Sequence, residues 1–182
     1  MTRQHTVCSV DANFPALLRE RFGSDAPKQL FALGNLDLVA LPKTAFFCSA
    51  RCPGSAILRA YDQVATWRDA GRCVIGGFHS PVEKECLSIL LRGTSPVIIS
   101  PARGMPKRIP PEWETPLAAG RMLIVSIFPA NLARVTADLA ARRNDFVAAL
   151  ADEVWFAHIT PGGENQRLHD LVVSWEPGQS TI

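Results

Sequence analysis

The stretch CVIGGFHSP, residues 73–81, decides the fold of this chain. Its first three residues are apolar and suit a short buried strand, and the two glycines that follow let the backbone turn tightly. Ser80 and Pro81 are the residue types that begin a helix, a side-chain N-cap followed by a proline in the first turn. A buried strand that leads through a glycine turn into a helix is the building unit of an open α/β sheet.

Units of this kind recur along the rest of the chain. Apolar segments predict further strands at about 44–49, 96–100, 122–126 and 154–158. Helical spacing predicts helices at about 54–70, 81–91, 133–151 and 164–175, the third with a break near 142–144. We therefore expect a Rossmann-like α/β fold, a doubly wound and mostly parallel sheet of about five strands with helices on both faces.

The first 43 residues have a different pattern. Residues 14–18 indicate a short helix and residues 30–35 an extended segment, with no repeated unit of strand and helix around them. We interpret residues 1–43 as an N-terminal extension that packs on a core domain formed by residues 44–182.

The composition of the chain limits its class. Its 182 residues are 47% hydrophobic and 20% charged, which is typical of a folded globular domain. Residues 1–5 lead into no apolar stretch, and apolar runs such as 122–125 are far shorter than the ~20 residues that cross a bilayer, so we expect a cytoplasmic protein. The net charge of +2 is weakly basic, so a site for an anion must be local.

The five cysteines and four histidines show no metal-site spacing. No C-x-x-C pair occurs, and Cys48 and Cys73 lie in apolar strands, where a thiol usually packs as a small apolar group. The histidines also lack an H-x-x-x-H spacing. We expect neither a metal ion nor a cofactor.

Candidate ligand-binding residues follow from the predicted sheet. In open α/β sheets the ligand lies beyond the carboxyl ends of the strands, where glycine turns and helix N-termini face it. Four segments of this chain fall at that edge, although each taken alone is also typical of an ordinary turn or a solvated helix face. Their residues are Ser49 and Arg51, then Gly76, Gly77, Phe78, His79 and Ser80, then Arg142, Arg143 and Asn144, and finally Gly162 and Gly163. Their shared position predicts one phosphate-binding site.

The sequence contains no recognisable catalytic set. The motifs G-x-S-x-G, G-x-x-x-x-G-K-[ST] and G-x-G-x-x-G do not occur. Glu83 lies at the start of the second predicted helix, near His79, where it is either a general base or, as we favour, a partner of the helix dipole. The pattern favours a binding protein over an enzyme.

In their order these segments resemble the DNA-processing protein DprA family, also called Smf. The resemblance covers about 14–163 and rests on FPALL at 14–18, FFCSAR at 46–51, DAGRCVIGGF at 69–78, SIFP at 126–129 and RRN at 142–144. It implies a Rossmann-like domain that binds single-stranded DNA and acts in DNA processing, uptake and recombination, with a RecA-type recombinase as partner. It also implies phosphate contacts by Arg51, Gly77, Arg143 and Asn144.

The chain departs from the family pattern at particular positions. Ser80 stands where the family has the arginine of Arg-Gly-Ile-Asp, Asp145 replaces the second arginine of Arg-Asn-Arg, and His158 replaces a glutamate. We expect no counterpart of the accessory domains that are common in the family.

Two other functions stay open. The same fold binds small nucleotides, with residues 76–80 around one phosphate group, and the missing loop arginine favours this ligand over DNA. The third candidate is an enzyme like the nucleotide phosphoribohydrolases of the lonely guy type, but Glu164 and Asn165 stand where those enzymes have Gly-Thr after Pro-Gly-Gly. A homodimer is also compatible with the sequence.

Overall fold

The computed structural model describes residues 4–132 and 134–175. Within them the chain forms one seven-stranded sheet. Its strands are β1 (Gln4–Cys8), β2 (Gln29–Gly34), β3 (Lys43–Phe47), β4 (Cys73–Gly76), β5 (Val97–Ile99), β6 (Met122–Ser126) and β7 (Glu153–Phe156). Its α-helices are α1 (Ala16–Phe22), α2 (Gly54–Asp69), α3 (Pro81–Leu91), α4 (Pro111–Ala118), α5 (Ala137–Leu150) and α6 (Glu164–Ser174).

The strand order is β1-β2-β6-β5-β4-β3-β7. From β6 to β7 every neighbouring pair is parallel, whereas β2 is antiparallel to both β6 and β1. The predicted α/β fold with a mostly parallel sheet is confirmed, and the five predicted strands are the five parallel ones. The sheet has two more strands than predicted, since β2 and β1 extend it beyond β6.

The helices cover both faces of the sheet. Helices α2, α3 and α4 pack on one face through residues such as Val64, Leu90 and Leu117. Helices α1, α5 and α6 pack on the other, where Leu18 and Phe146 belong to a second buried cluster. After β3 the chain enters α2 on the first face, and after β7 it enters α6 on the second face. A crevice therefore opens between the carboxyl ends of these two neighbouring strands. Open α/β sheets place their ligands at this kind of switch point.

The strands that border the crevice are anchored by aromatic packing. Phe46 of β3 is fully buried, and its ring stacks on the ring of Trp155 with centroids 5.7 Å apart. The Trp67 ring of α2 meets Phe46 edge-on, with centroids 6.4 Å apart. Such contacts add to the free energy of burial. The position of the crevice therefore depends on a rigid core directly behind it.

Of the helices that the structure describes, none combines the length and the apolar character needed to cross a bilayer.

We expect Phe46→Ala to lower the free energy of unfolding by about 3–5 kcal/mol, because it leaves a cavity among three aromatic rings. Leu58 on α2 is 65% exposed, so Leu58→Ala removes a similar apolar group from the surface and should change stability by less than about 0.5 kcal/mol. Urea denaturation of both variants measures the difference. Equal losses would contradict the packing described for β3.

Candidate functional site

A cavity of about 320 Å³ opens at the carboxyl ends of β3, β4 and β7. It lies at the switch point of the sheet, and its wall combines the loops after these strands with the start of α3 and one face of α5. Of the predicted site residues it brings together Ser49, Arg51, His79, Ser80, Arg143, Asn144 and Gly163.

A hydrogen-bonded cluster joins the loops after β3 and β7. The hydroxyl of Ser49 donates to the carbonyl oxygen of His158 over 3.0 Å. Asn165, in the first turn of α6, donates from Nδ2 to the same carbonyl over 2.9 Å and to Ser49 Oγ over 3.1 Å. Asn165 is buried and lines the cavity, although it is not among the predicted site residues. The available signal was a polar residue two positions after a glycine turn, in the first turn of a helix.

The amide groups at the start of α3 already hold an anion. Glu83 is 8% exposed, and its carboxylate accepts hydrogen bonds from the backbone N–H groups of Cys48, at 3.2 Å, and His79, at 2.9 Å. It also accepts from the N–H of Ser80, whose hydroxyl accepts from the Glu83 N–H, and these two bonds form a capping box. The Glu83 carboxylate therefore occupies the amides at which residues 76–80 were expected to bind a phosphate.

Gly76, Gly77 and Phe78, unlike His79 and Ser80, do not line the cavity. Gly76 is the last residue of β4 and is buried, and Gly77 lies directly under the Arg143 guanidinium, with no room for a Cβ atom. Phe78 has a positive φ of 46° and is buried, with its ring stacked on Phe46 at 6.4 Å between centroids. The Phe78 ring therefore belongs to the core and does not face a ligand.

Arg143 brings a buried positive charge to the cavity. Its Nη1 donates to the carbonyl oxygen of Ser100 over 3.0 Å, and its Nε donates to Asn144 Oδ1 over 2.8 Å. Burial lowers the pKa of Arg143, while the carboxylates of Glu83 and Glu164 oppose that shift. A guanidinium stays protonated in proteins, so the charge persists. Within the described residues Nη2 has no hydrogen-bond partner.

Arg142 does not share this cavity. Helix α5 is continuous from Ala137 to Leu150, so the predicted break near 142–144 is wrong. Successive residues of an α-helix point about 100° apart, which separates the two arginines. The Arg142 guanidinium lies over the Phe128 ring, 5.5 Å from its centroid, and lines a different depression together with Asp25 and Asp145.

The acidic residues near the rim are already paired. Arg167 contacts the carboxylates of both Glu164 and Asp145, and Asn144 donates to Glu164 over 3.4 Å. The Arg167 contact holds the pKa of Glu164 below its usual range, whereas burial raises the pKa of Asp145. Arg51 is exposed and has no ion pair within the described part of the chain. Two arginines are thus available to an anion in the cavity.

The remaining glycines and cysteines have other positions. Gly162 has a φ of 68° and forms an exposed turn that does not line the cavity, next to Gly163, which does. Cys48 lines the cavity, with its Sγ 3.7 Å from Cys52 Sγ. Among the residues that the structure describes, no three His, Cys, Asp or Glu side chains form a metal-binding group.

The sequence model of the family described as DNA recombination-mediator protein A matches residues 5–159. The chain belongs to this family. The resemblance to DprA is therefore confirmed, and the fold agrees with it. No curated protein matches the chain by sequence.

Two solved structures of DNA processing protein A share this fold. The protein from Streptococcus pneumoniae aligns with a TM-score of 0.78 and 18% identity, over 95% of this chain and 60% of its own. The protein from Helicobacter pylori aligns with a TM-score of 0.72 and 18% identity, over 95% of this chain and 77% of its own. This DprA-family chain therefore spans only 60% of the length of the S. pneumoniae protein.

We expect Glu83→Gln to lower the free energy of unfolding by about 1.5–3 kcal/mol, because a neutral amide cannot accept all three charge-assisted hydrogen bonds. Glu85 lies on the same helix but is exposed, with an ion pair to Arg92. Glu85→Gln should therefore change stability by less than about 0.5 kcal/mol. Urea denaturation of both variants tests this, and similar losses would contradict the structural role given to the Glu83 carboxylate.

The cysteines should differ sharply in reactivity with iodoacetamide at about pH 8. Burial raises the pKa of both Cys48 and Cys86 to about 12 and that of Cys73 to about 11, so these thiols stay protonated. The half-buried thiols of Cys8 and Cys52 should be alkylated first. Peptide mass spectrometry after a time course identifies the order, with urea-denatured protein as the control in which all five react. Early alkylation of Cys86 in the native protein would be incompatible with the structure.

Proposed function

We propose that this chain binds single-stranded DNA through backbone phosphates in the cavity between β3, β4 and β7, and so acts in DNA processing, uptake and recombination. The observation that carries the proposal is Arg143, a buried cation that lines the cavity and is held by its hydrogen bond to the carbonyl oxygen of Ser100. Family membership supports the proposal, as does the H. pylori relative, whose structure was described for its single-stranded DNA binding mode.

The chemistry of the cavity suits a phosphate diester. A guanidinium offers donors that match the geometry of phosphate oxygens, and Arg51 adds a second one at the rim. Phosphate contacts give affinity with little dependence on base sequence and a strong dependence on salt. With the Phe78 ring in the core, stacking by that residue adds nothing to binding.

A small nucleotide is the second candidate. The volume of about 320 Å³ lies at the lower end of the range for small-molecule sites, which favours a ligand of that size. The Glu83 carboxylate argues against it, because this side chain occupies the amides of His79 and Ser80 that a terminal phosphate would need.

Three further features rest on the family resemblance and on the sequence and stay predictions. They are a RecA-type recombinase as partner, a homodimer and a cytoplasmic location.

We expect fluorescence anisotropy to show tighter binding of a labelled single strand than of a duplex, with the affinity falling as salt rises. Arg51→Ala should weaken single-strand binding about fivefold to tenfold, because it removes a charged donor from the rim. The matched control is Arg92, which directly follows the C-terminal end of α3, away from the cavity, and forms an ion pair with Glu85. Arg92→Ala should bind the single strand as tightly as the unchanged protein does.

Two outcomes of this titration would contradict the proposal. If neither oligonucleotide binds at low salt, the chain is not a DNA-binding protein of the proposed kind. If a mononucleotide displaces the single strand at a concentration far below that of any oligonucleotide competitor, the small-nucleotide function replaces it.

A further inference from the structure

Two cysteines near the end of β3 are close enough to be joined by a covalent bond. Cys48 directly follows β3, and Cys52 lies two residues before the start of α2. Both thiols are free, and their Sγ atoms are 3.7 Å apart. The S–S bond of a disulfide is about 2.05 Å long, so the two sulfur atoms need to approach each other by only about 1.6 Å.

The two thiols differ in their access to solvent. Cys48 is only 6% exposed, and its Sγ also lies 3.6 Å from the carbonyl oxygen of Ser49. Burial, together with the neighbouring Cys52 thiol, raises the pKa of Cys48 to about 12, so the Cys48 thiol is protonated. Cys52 is half-buried and can be reached from solvent. A dissolved oxidant therefore meets Cys52 first, with the Cys48 sulfur in position to react next.

The segment between the cysteines can contract while the end of β3 stays in place. The N–H of Cys48 is bonded to Glu83, and the Ser49 hydroxyl is bonded to the carbonyl oxygen of His158. In the part of the chain that the structure describes, the N–H groups of Ala50, Arg51 and Cys52 donate to no other backbone group. Closure of an S–S bond therefore moves Arg51 and Cys52 and breaks no backbone hydrogen bond donated by them.

We propose that Cys48 and Cys52 form a reversible disulfide, which makes this loop a modification site for hydrogen peroxide. In the first step the peroxide oxidises the Cys52 thiol to a sulfenic acid, and one water molecule leaves. In the second step the Cys48 sulfur attacks the sulfenic sulfur and the S–S bond forms. The sulfenic hydroxyl leaves with the Cys48 proton as a second water molecule. The two sulfur atoms together lose two electrons, which the peroxide gains, and a dithiol reductant reverses the change.

The disulfide also changes the cavity. The ring that it closes contains Ser49 and Arg51, and both residues line the cavity. Because the start of the segment is fixed, contraction displaces the Arg51 guanidinium from its place at the rim. This consequence for binding rests on the proposed function, whereas the disulfide itself does not.

Peptide mapping tests the disulfide directly. The native protein is treated with dilute hydrogen peroxide, its remaining thiols are alkylated, and it is digested with trypsin. Trypsin cleaves after Lys43, Arg51 and Arg59, so the two cysteines fall in separate peptides, residues 44–51 and 52–59. We expect mass spectrometry to find these two peptides joined, and to find them separate after reduction with dithiothreitol.

Two variants serve as a matched pair. Cys52→Ser should abolish the linkage, whereas Cys8→Ser, which removes the other half-buried thiol, should leave it intact. A linkage between any other two peptides would overturn the proposal. So would a Cys52 peptide oxidised to the sulfinic acid while Cys48 remains a free thiol, or an unmodified Cys52 at a peroxide concentration that oxidises Cys8.

Fluorescence anisotropy tests the effect on the cavity. We expect the oxidised protein to bind a labelled single strand about fivefold to tenfold more weakly than the reduced protein, because the donor that Arg51→Ala removes is displaced. Peroxide-treated Cys52→Ser should bind as tightly as the reduced protein. If the disulfide forms and the affinity stays the same, the effect on the cavity is wrong and the modification site stands. If the reduced protein binds no strand, the proposed function fails, and the joined peptides still establish the disulfide.

Discussion

One buried cation organises the carboxyl edge of the sheet. The Arg143 side chain extends from α5 over Gly77 and is bonded to the backbone of Ser100, so a helix on one face is tied to the loops after β4 and β5. A buried charge is tolerated only when hydrogen bonds and nearby opposite charge compensate its loss of hydration. Asn144 supplies one such bond, and the Glu83 carboxylate supplies the opposing charge. The cavity takes its shape from this arrangement.

The acidic residues near the cavity leave it suitable for an anion because each is satisfied internally. Glu83 caps α3 and binds the loop after β3, which holds the two loops together without presenting its charge freely. Asp145 stands where the family pattern has an arginine, and its charge is matched by Arg167. A substitution that reverses the charge at one position of the family pattern can therefore be neutralised by a neighbouring side chain.

Local sequence patterns are sufficient to predict the five parallel strands, because strands that are buried on both faces are uninterrupted apolar runs. The same patterns do not predict β1, which lies at the edge of the sheet. Its Val7 is buried but its Thr6 is exposed, so the strand contains no uninterrupted apolar run. They also failed within α5, because two adjacent arginines resemble a solvated or broken helix. The burial of Arg143 depends on Gly77, and the role of Asn165 depends on Ser49. These contacts join distant parts of the chain and leave no periodic signal in the sequence.

The antiparallel end of the sheet also sets an order of assembly. Strand β2 hydrogen-bonds to β6, with Phe31 opposite Ser126, and β1 pairs with β2. During synthesis β1 and β2 leave the ribosome before β6. They cannot join the sheet until β6, the strand with which β2 pairs, has also been made. Contacts this far apart in sequence slow folding, and an unpaired strand edge exposed meanwhile favours aggregation. Strands β1 and β2 are thus made before β6 but are secured only after it.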